Sequence, residues 1–245
     1  MYPVIGRIGG FEITSFGLMV ALGFLAGLWL FRRELRARGL PEHLENAALI
    51  GAAGGLLGAK VIWVIEFSGD APWTDLLFSR AGLSWYGGFI GGVGAGLLAI
   101  RYMRAPLVPT LAAAAPALAV GHMLGRMGCF LVGDDYGIPS SLPWAVAFPD
   151  GVPPTVVPVH PTQLYEAAFL LLLAWWLIRL RRQRVADSMI LGQYFLLAGS
   201  FRFLLEFIRV NEPVVAGFTL AQIFALTLAA TGAALVRRTR RSARR

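Results

Sequence analysis

Long apolar segments take up most of this chain and constrain its fold more than any other feature. Roughly 20 helical residues cross a hydrocarbon core, and 57% of the residues are hydrophobic while only 15% are charged. The predicted spans are 13–31, 47–67, 83–100, 107–124, 164–178, 189–208 and 214–236. Because backbone polar groups in lipid must be hydrogen-bonded internally, we expect each span to be a helix. The sequence therefore predicts an all-α polytopic membrane protein with about seven transmembrane helices.

The basic residues predict which way the chain crosses the membrane. Most of the 22 Lys and Arg residues lie in alternate short connections and in the tail. Because cytoplasmic loops are enriched in Lys and Arg, the N-terminus is predicted outside and the tail 237–245 in the cytoplasm, with Arg80 at the outer side. We expect the tail to be disordered and to face lipid. This asymmetry explains the net charge of +8, so no nucleic-acid partner is predicted.

Three ionisable residues share one helical face inside the sixth predicted span. Arg202, Glu206 and Arg209 follow one another at i, i+4 and i+7 in an otherwise apolar segment. A charge within a bilayer costs at least a few kcal/mol unless it is paired or faces a polar cavity. A structural ion pair of Glu206 with one arginine is the simpler interpretation, but it would leave the second arginine without a partner. An anion-binding site is therefore favoured over a purely structural clamp.

Other polar residues are predicted to lie at the same depth. With the orientation above, His122 and Arg126 lie at the outer end of span four. Lys60 lies in the outer half of span two, Tyr86 at the outer start of span three, and the segment 160–166 at the outer start of span five. A shared depth favours one polar chamber in the outer-leaflet half of the membrane. Guanidinium groups bind phosphate through paired hydrogen bonds, and the simplest membrane-embedded anion is a phospholipid headgroup.

The longest connection, 125–162, is predicted to be a small irregular cap on the outer side. It contains seven prolines, which interrupt helices, and loops of this length are more often functional than idle. We find no second soluble domain, so 1–245 is predicted to be a single integral membrane domain with this cap and a basic tail. Glycines spaced four residues apart in 51–58 and 87–96 predict close helix packing; a phosphate-binding glycine loop is the weaker alternative.

Residues that could hold a metal are few and scattered. Cys129 is the single cysteine, which excludes an intramolecular disulfide and a thiolate cluster. His43, His122 and His160 are far apart in sequence and follow no metal-binding spacing. We therefore predict no metal and no cofactor.

Several of the polar residues also have purely structural interpretations. His122 on an apolar segment fits a hydrogen-bonded packing residue. His160 precedes Pro161 at a predicted helix start, where an imidazole can satisfy free backbone groups. Asp134 and Asp135 fit a loop that is simply soluble. These alternatives stay open beside the chemical roles.

Four ordered motifs resemble those of one family. The most specific is GRMGCFLVGDDYG at 125–137. The others are YGGFIG at 86–91, HPTQLYE at 160–166 and FRFLLEFIR at 201–209, with Gly58-Ala59-Lys60 in support. Along nearly its whole length the chain resembles the prolipoprotein diacylglyceryl transferases of the bacterial plasma membrane.

The resemblance implies an enzyme that transfers the diacylglyceryl group of phosphatidylglycerol to the lipobox cysteine thiol of a preprolipoprotein. A thioether forms and glycerol phosphate is released. The implied partners are phosphatidylglycerol, lipobox peptides and membrane lipids, and the implied location is the bacterial plasma (inner) membrane. A transporter for a phosphorylated or anionic solute is the alternative, but such proteins are commonly built from repeated halves with broken helices, which the sequence does not show.

The resemblance also implies which residues form the site. The two essential arginines of the family correspond to Arg126 and Arg202. Glu206 and Arg209 match its supporting polar pair, and Tyr86, where some members have histidine, is grouped with the two arginines as catalytic. Arginines aimed at the phosphate would stabilise the transition state, because the leaving phosphate gains charge. The further substrate-binding residues are His160, Gln163, Tyr165, Glu166, Asp134 and Lys60.

The chain departs from the family pattern at several positions. Phe16 replaces the usual tyrosine, Cys129 and Val132 replace frequent asparagines, and Asp134 is a shorter acidic residue than usual. We interpret these changes as marks of a subgroup. The base that accepts the thiol proton stays open between Tyr86, His122, His160 and Asp134.

Overall fold

The structure, a computed structural model, describes residues 2–9, 11–79 and 82–242, and these are mainly helical. Arg80 and the last three residues of the predicted tail lie outside the described residues. The helices are α1 (Ser15–Ala37), α2 (Asn46–Glu66), α3 (Trp73–Phe78), α4 (Trp85–Tyr102), α5 (Leu107–Val132), α6 (Thr162–Arg182), α7 (Asp187–Leu205) and α8 (Leu220–Ser242), with 3-10 turns at Glu42–Glu45 and Glu206–Ile208. Two antiparallel pairs of short strands complete the fold: β1 (Val4–Ile8) with β2 (Phe11–Thr14), and β3 (Val146–Phe148) with β4 (Thr155–Val159).

Six helices in the described part of the chain are long and apolar enough to cross a membrane, which confirms the prediction of a helical multi-pass membrane protein. The predicted span 83–100 is observed as helix α4, which is 18 residues long but is not among the six. Its many glycines and its terminal Arg101 lower its mean hydropathy.

The chain forms two compact units, and each is described by itself. The smaller unit, Arg32–Thr110, is built on α2 and α4, whose glycines face each other. A Cβ atom on Gly58 would lie 2.4 Å from the carbonyl oxygen of Gly87, and one on Gly54 would lie 2.8 Å from that of Gly91. Larger side chains would force the helices apart, so the prediction of close packing at these glycines is confirmed.

The larger unit, Met1–Phe31 with Leu111–Arg245, has its core between α5, α6 and α7. Leu173, Leu177 and Ile190 are buried there. Helix α8 approaches α7 so closely at Gly199 that an added Cβ atom would lie 2.6 Å from the carbonyl oxygen of Ala225. This packing holds the helices that carry most of the polar residues of the predicted chamber.

Helix α5 continues to Val132, so the cap is shorter than the predicted 125–162. No proline interrupts residues 125–132, and Gly133 ends the helix with φ of 79°, a conformation that glycine adopts readily. Arg126 therefore lies on a helix and not in the cap. The cap is also not wholly irregular, because β3 and β4 pair within it.

The last helix differs from its prediction at both ends. It begins at Leu220 and not at position 214, and it continues through Ser242. Since arginine is a good helix former, the described part of the basic tail is helical, and the prediction of a disordered tail is wrong there.

Candidate active site

Three arginines and three carboxylates lie together in the larger unit and form one network of ion pairs, named here the arginine cluster. Helix α5 supplies one arginine, α7 supplies a second, and the residue that follows the 3-10 turn after α7 is the third. The carboxylates come from the cap, from α6 and from the same turn. The members are Arg126, Asp135, Glu166, Arg202, Glu206 and Arg209. Sequence analysis placed five of these in the site and missed Asp135.

Arg126 is held between the cap and α6. Its Nη1 lies 2.7 Å from Oδ2 of Asp135, and its Nε lies 3.0 Å from Oε2 of Glu166. The side chain of Arg126 is only 8% exposed. A buried guanidinium needs nearby negative charge, because an isolated ion in a low-dielectric environment is costly. The two carboxylates supply that charge and fix the direction of the arginine.

Glu206 pairs with both arginines of its own segment. Its Oε2 lies 2.8 Å from Nη2 of Arg202 and 3.6 Å from Nε of Arg209. Its other oxygen accepts hydrogen bonds from Thr219 Oγ1 at 2.9 Å and from Asn211 Nδ2 at 2.6 Å. The expectation that pairing Glu206 would leave one arginine without a partner is wrong, because Glu206 contacts both.

Asp135 joins the two halves of the cluster. Its Oδ1 lies 2.7 Å from Nη2 of Arg209, while its Oδ2 contacts Arg126 as described above. Burial raises the pKa of this carboxyl, but the charges of Arg209 and Arg126 and their hydrogen bonds to it together lower it by more, so the pKa of Asp135 lies below its usual value. Asp135 is therefore an ionised bridge. The interpretation of Asp135 as a merely soluble loop residue is wrong.

Each arginine of the cluster keeps a hydrogen-bond donor that the described residues do not use. Nη2 of Arg126, Nη1 of Arg202 and Nη1 of Arg209 are buried and have no hydrogen-bond partner among the described residues. Buried polar groups are normally satisfied, so such orphaned donors indicate a missing partner. A multivalent acceptor such as phosphate matches that need, since each of its oxygens accepts several hydrogen bonds.

The start of α6 fixes the cap beside the arginines. Thr162 Oγ1 donates to the backbone carbonyl of Asp135 at 2.8 Å, and Gln163 Nε2 donates to that of Asp134. Both Thr162 and Gln163 are fully buried. Asp135 has φ of 61°, in the left-handed region that aspartate tolerates better than most residues. The backbone of Asp135 is therefore held in one place while its carboxylate reaches the arginines.

Gly137 allows the cap to lie against the segment after α7. The backbone N–H of Gly137 donates to His160 at 2.9 Å, and that of Ile138 donates to Ile208 at 2.9 Å. A Cβ atom on Gly137 would lie 2.4 Å from the carbonyl oxygen of Ile208. Only glycine permits this approach without displacement of its neighbours. Arg209, which follows Ile208, is thereby brought to the cap.

The remaining predicted residues of segment 160–166 occupy two different surroundings. Nδ1 of His160 lies 3.3 Å from Oη of Tyr165, which also accepts a hydrogen bond from Trp144 at 2.7 Å. Glu166 faces the cluster, and its Oε1 lies 3.6 Å from Nε2 of His122. His122 thus lies beside the cluster, whereas His160 and Tyr165 form a separate polar group with the cap.

Asp134 and Cys129 lie next to Asp135, and the three offer ligand atoms within 4.8 Å of one another. This grouping does not favour a cation, because Asp135 is already paired with two arginines and Nη1 of Arg126 lies 3.7 Å from Sγ of Cys129. Burial raises the pKa of the Asp134 carboxyl above its usual value. Asp134 is therefore protonated more easily than an ordinary surface carboxylate.

Two predicted site residues belong to the smaller unit. Lys60 donates hydrogen bonds to the backbone carbonyl of Ser79 at 2.9 Å and to its hydroxyl at 3.0 Å, and its Nζ lies over the ring of Trp63. Tyr86 lies in the first turn of α4 and is 49% exposed. Lys60 thus has partners within its own unit, and a role for either residue in the site stays a prediction.

Comparisons with known proteins agree over almost the whole chain. A family model described as prolipoprotein diacylglyceryl transferase matches residues 3–238. The phosphatidylglycerol–prolipoprotein diacylglyceryl transferase of Nitratidesulfovibrio vulgaris (strain Miyazaki F) is 32% identical to this chain, in an alignment that covers 98% of this chain and 95% of the relative. The enzyme of the same name from Methylobacillus flagellatus is 33% identical, covering 94% and 93%, and that from Geobacter sulfurreducens is 35% identical, covering 86% and 82%.

Proposed function

The chain belongs to the prolipoprotein diacylglyceryl transferase family, and we propose on that premise that its arginine cluster binds and activates the lipid. The protein transfers the diacylglyceryl group of phosphatidylglycerol to the cysteine thiol of a prolipoprotein, forming a thioether and releasing glycerol phosphate. The observation that carries the site assignment is the set of orphaned donors on Arg126, Arg202 and Arg209.

In this proposal the lipid phosphate accepts hydrogen bonds from the three orphaned donors. Phosphatidylglycerol carries one negative charge on its phosphodiester, and planar guanidinium groups match its oxygens in geometry and charge. Because the buried carboxylates of Glu166 and Glu206 hold Arg126 and Arg202 in place, the donors of these two arginines need little rearrangement before they bind. Such preorganisation makes charge stabilisation effective inside a membrane protein.

The reaction itself explains why the arginines would contribute to rate and not only to binding. The thiolate sulfur forms a bond to the glyceryl carbon while the bond from that carbon to the phosphate oxygen breaks. The electron pair stays on the phosphate, whose charge rises from one toward two. Arg126 and Arg202 therefore bind the transition state more tightly than the substrate, while Glu206 orients Arg202, and Arg209 adds positive charge.

The remaining residues are proposed to position the substrates. Glu166 orients Arg126, Gln163 holds the backbone of Asp134, and His160 with Tyr165 offers polar contacts to the acceptor peptide. Lys60 is proposed to contact lipid. The enzyme is proposed to recognise the lipobox, the short segment of the prolipoprotein that contains the reactive cysteine.

The acceptor thiol must lose a proton before or during attack. An unperturbed thiol has a pKa of about 8.5, so a positioned base would raise the rate by roughly 10² to 10⁴. The candidates are Tyr86, His122, His160 and Asp134. Burial raises the pKa of Asp134, which brings it closer to the pKa of an effective general base at neutral pH. Conservative replacement of each in turn identifies the base, because its loss alone removes the acidic limb of the pH profile of kcat, where protonation of the base lowers the rate.

The protein is also proposed to lie in the bacterial plasma membrane with its N-terminus outside, its C-terminus in the cytoplasm and the arginine cluster in the outer-leaflet half. The arginine-rich connections support this orientation. Single cysteines at Ser141 and Ser242, introduced into a Cys129→Ser background, test it with a membrane-impermeant maleimide on intact cells. Labelling at Ser242 and not at Ser141 would overturn the orientation.

A transfer assay with the purified protein tests the function. Phosphatidylglycerol labelled in its acyl chains is supplied with a synthetic lipobox peptide, and transfer gives a labelled peptide together with an equal amount of glycerol phosphate. Arg126→Ala and Arg202→Ala are expected to abolish transfer while leaving membrane insertion intact. Uptake of an anionic solute into liposomes without any lipid transfer would contradict the enzyme and support a transporter.

A further inference from the structure

The three carboxylates of the arginine cluster differ in how freely they can leave their arginines. Glu206 is completely buried and Glu166 is 5% exposed, whereas the side chain of Asp135 is 47% exposed. Moving either glutamate would require repacking of helices. The carboxylate of Asp135 can swing away by side-chain rotation alone, since its backbone is held by Thr162 and the αL conformation is fixed.

We propose that Asp135 is a built-in competitor for the phosphate site. It occupies Arg126 and Arg209 when the site is empty, gives way to the phosphate of the lipid, and returns to displace glycerol phosphate after transfer. This inference rests on the proposed function and adds to it a residue that positions the two arginines and controls product release.

The charge of the cluster supports this exchange. Three guanidinium groups face three carboxylates, so the cluster is formally neutral as it stands. When Asp135 swings away, one positive charge is left uncompensated, which matches the single charge of a phosphodiester. Substrate phosphate can therefore take the place of Asp135 without leaving a net charge in the site.

Tight binding of the product, glycerol phosphate, is the reason why a competitor for the arginines would help turnover. Glycerol phosphate is a phosphomonoester with a second pKa near 6, so at neutral pH it carries close to two negative charges. The arginines that stabilise the transition state also bind this product more tightly than the substrate, and slow release would limit turnover. A carboxylate tethered beside the arginines acts at a high effective concentration and shortens the lifetime of the product complex.

Replacement of Asp135 by asparagine tests the proposal with little change in shape. Asparagine tolerates the same left-handed backbone, but it carries no charge. We expect Asp135→Asn to lower the inhibition constant of glycerol phosphate on the order of tenfold, since it removes a charged competitor. We also expect kcat to fall while KM for phosphatidylglycerol falls or stays constant. Asp135→Gly, which also suits φ of 61°, is expected to behave in the same way.

The control is Asp150→Asn, which removes the same charge from an exposed turn of the cap. It should leave the inhibition constant of glycerol phosphate, kcat and KM unchanged. If Asp135 had a purely structural role, its replacement would misalign the arginines. They would then bind glycerol phosphate more weakly, and the inhibition constant would rise.

An unchanged or raised inhibition constant in the Asp135 variants would overturn the proposal. Failure of both variants to fold would overturn it too, since Asp135 would then be a structural residue. Failure of the proposed function is distinct: the wild-type protein itself would transfer no lipid.

Discussion

Glu206 lies directly against Arg202, with Oε2 of the carboxylate 2.8 Å from Nη2 of the guanidinium, and the side chain of Glu206 is completely buried. The glutamate is also hydrogen-bonded to Thr219 and Asn211. A carboxylate fixed in this way sets the position of the arginine and prevents it from turning toward bulk solvent. The position of the positively charged Arg202 therefore depends on the carboxylate of Glu206, which itself needs no contact with the substrate.

The first prediction concerns that carboxylate. Glu206→Gln leaves an acceptor oxygen for Thr219 but removes the negative charge between two buried arginines. Breaking a buried ion pair in this way typically costs about 3 to 5 kcal/mol, so we expect a lower free energy of unfolding in detergent micelles and a loss of transfer. Glu12→Gln is the control, because Glu12 pairs with Arg7 and both side chains are largely exposed. Equal stability of the two variants would contradict a supporting role for Glu206.

The second prediction separates charge from geometry at the phosphate. Lysine keeps the positive charge of Arg126 and Arg202 but has no planar pair of donors. Because the loss of one preorganised donor commonly lowers kcat by about 10² to 10³, we expect Arg126→Lys and Arg202→Lys each to lose at least about a hundredfold. The exposed Arg7→Lys serves as the control. Transfer at close to the wild-type rate in either variant would mean that a point charge suffices.

The local pattern of the sequence predicted the fold and four of the six residues of the arginine cluster for a definite physical reason. Long apolar runs and charges inside them carry large energetic signals in lipid, and they identified the spans as well as Arg126, Arg202, Glu206 and Arg209. The ends of the helices were less predictable. Helix α5 extends eight residues further than the hydrophobic run alone indicated, because nothing before Gly133 stops it.

The role of Asp135 was not predictable from the same pattern. In the sequence, an acidic loop residue that pairs with arginines looks the same as one that is only solvated, because the difference depends on tertiary contacts of the loop. The closing hydrogen bonds come from Thr162 and Gln163, which are 27 and 29 residues away from their partners in the chain. Helix and strand periodicities relate only residues close in sequence, so they do not predict contacts over this separation. A useful signal was present in the paired aspartates of the motif at 125–137, but only the folded chain shows which one meets the arginines.

The third prediction concerns the single cysteine. Cys129 is buried beside Arg126, with Sγ 3.7 Å from Nη1. A covalent role is disfavoured, because a thioether between lipid and enzyme would be too stable to turn over. Cys129→Ser should therefore keep most of the transfer activity, as measured by initial rates with the lipobox peptide. Complete loss of transfer in a correctly inserted Cys129→Ser protein would instead point to covalent catalysis.

The fourth prediction concerns the contact between the cap and the segment that carries Arg209. A Cβ atom on Gly137 would lie 2.4 Å from the carbonyl oxygen of Ile208. Gly137→Ala must therefore push the two segments apart, and overpacking of this kind typically costs about 1 to 3 kcal/mol. We expect lower thermal stability together with reduced transfer, because Arg209 moves away from Asp135. The matched control is Gly94→Ala, where an added Cβ atom meets no atom within 4 Å.

The last prediction concerns the pH dependence of stability. Burial raises the pKa of Asp135, but Arg209 and Arg126 lower it by more, so its pKa in the folded protein is below that in the unfolded chain. A carboxyl of this kind adds stability that is fully present above the unfolded pKa, about 3.9, and is lost as the pH falls through the folded value. The difference in unfolding free energy between the wild type and Asp135→Asn should therefore stay constant from pH 7 to 5 and shrink only in more acidic solution. Both proteins carry Asp134→Asn as well, because the charge of Asp135 contributes to the raised pKa of Asp134 and the titration of Asp134 would not cancel in the difference. A difference that already disappears between pH 7 and 5 would show that Asp135 is not held ionised by the two arginines.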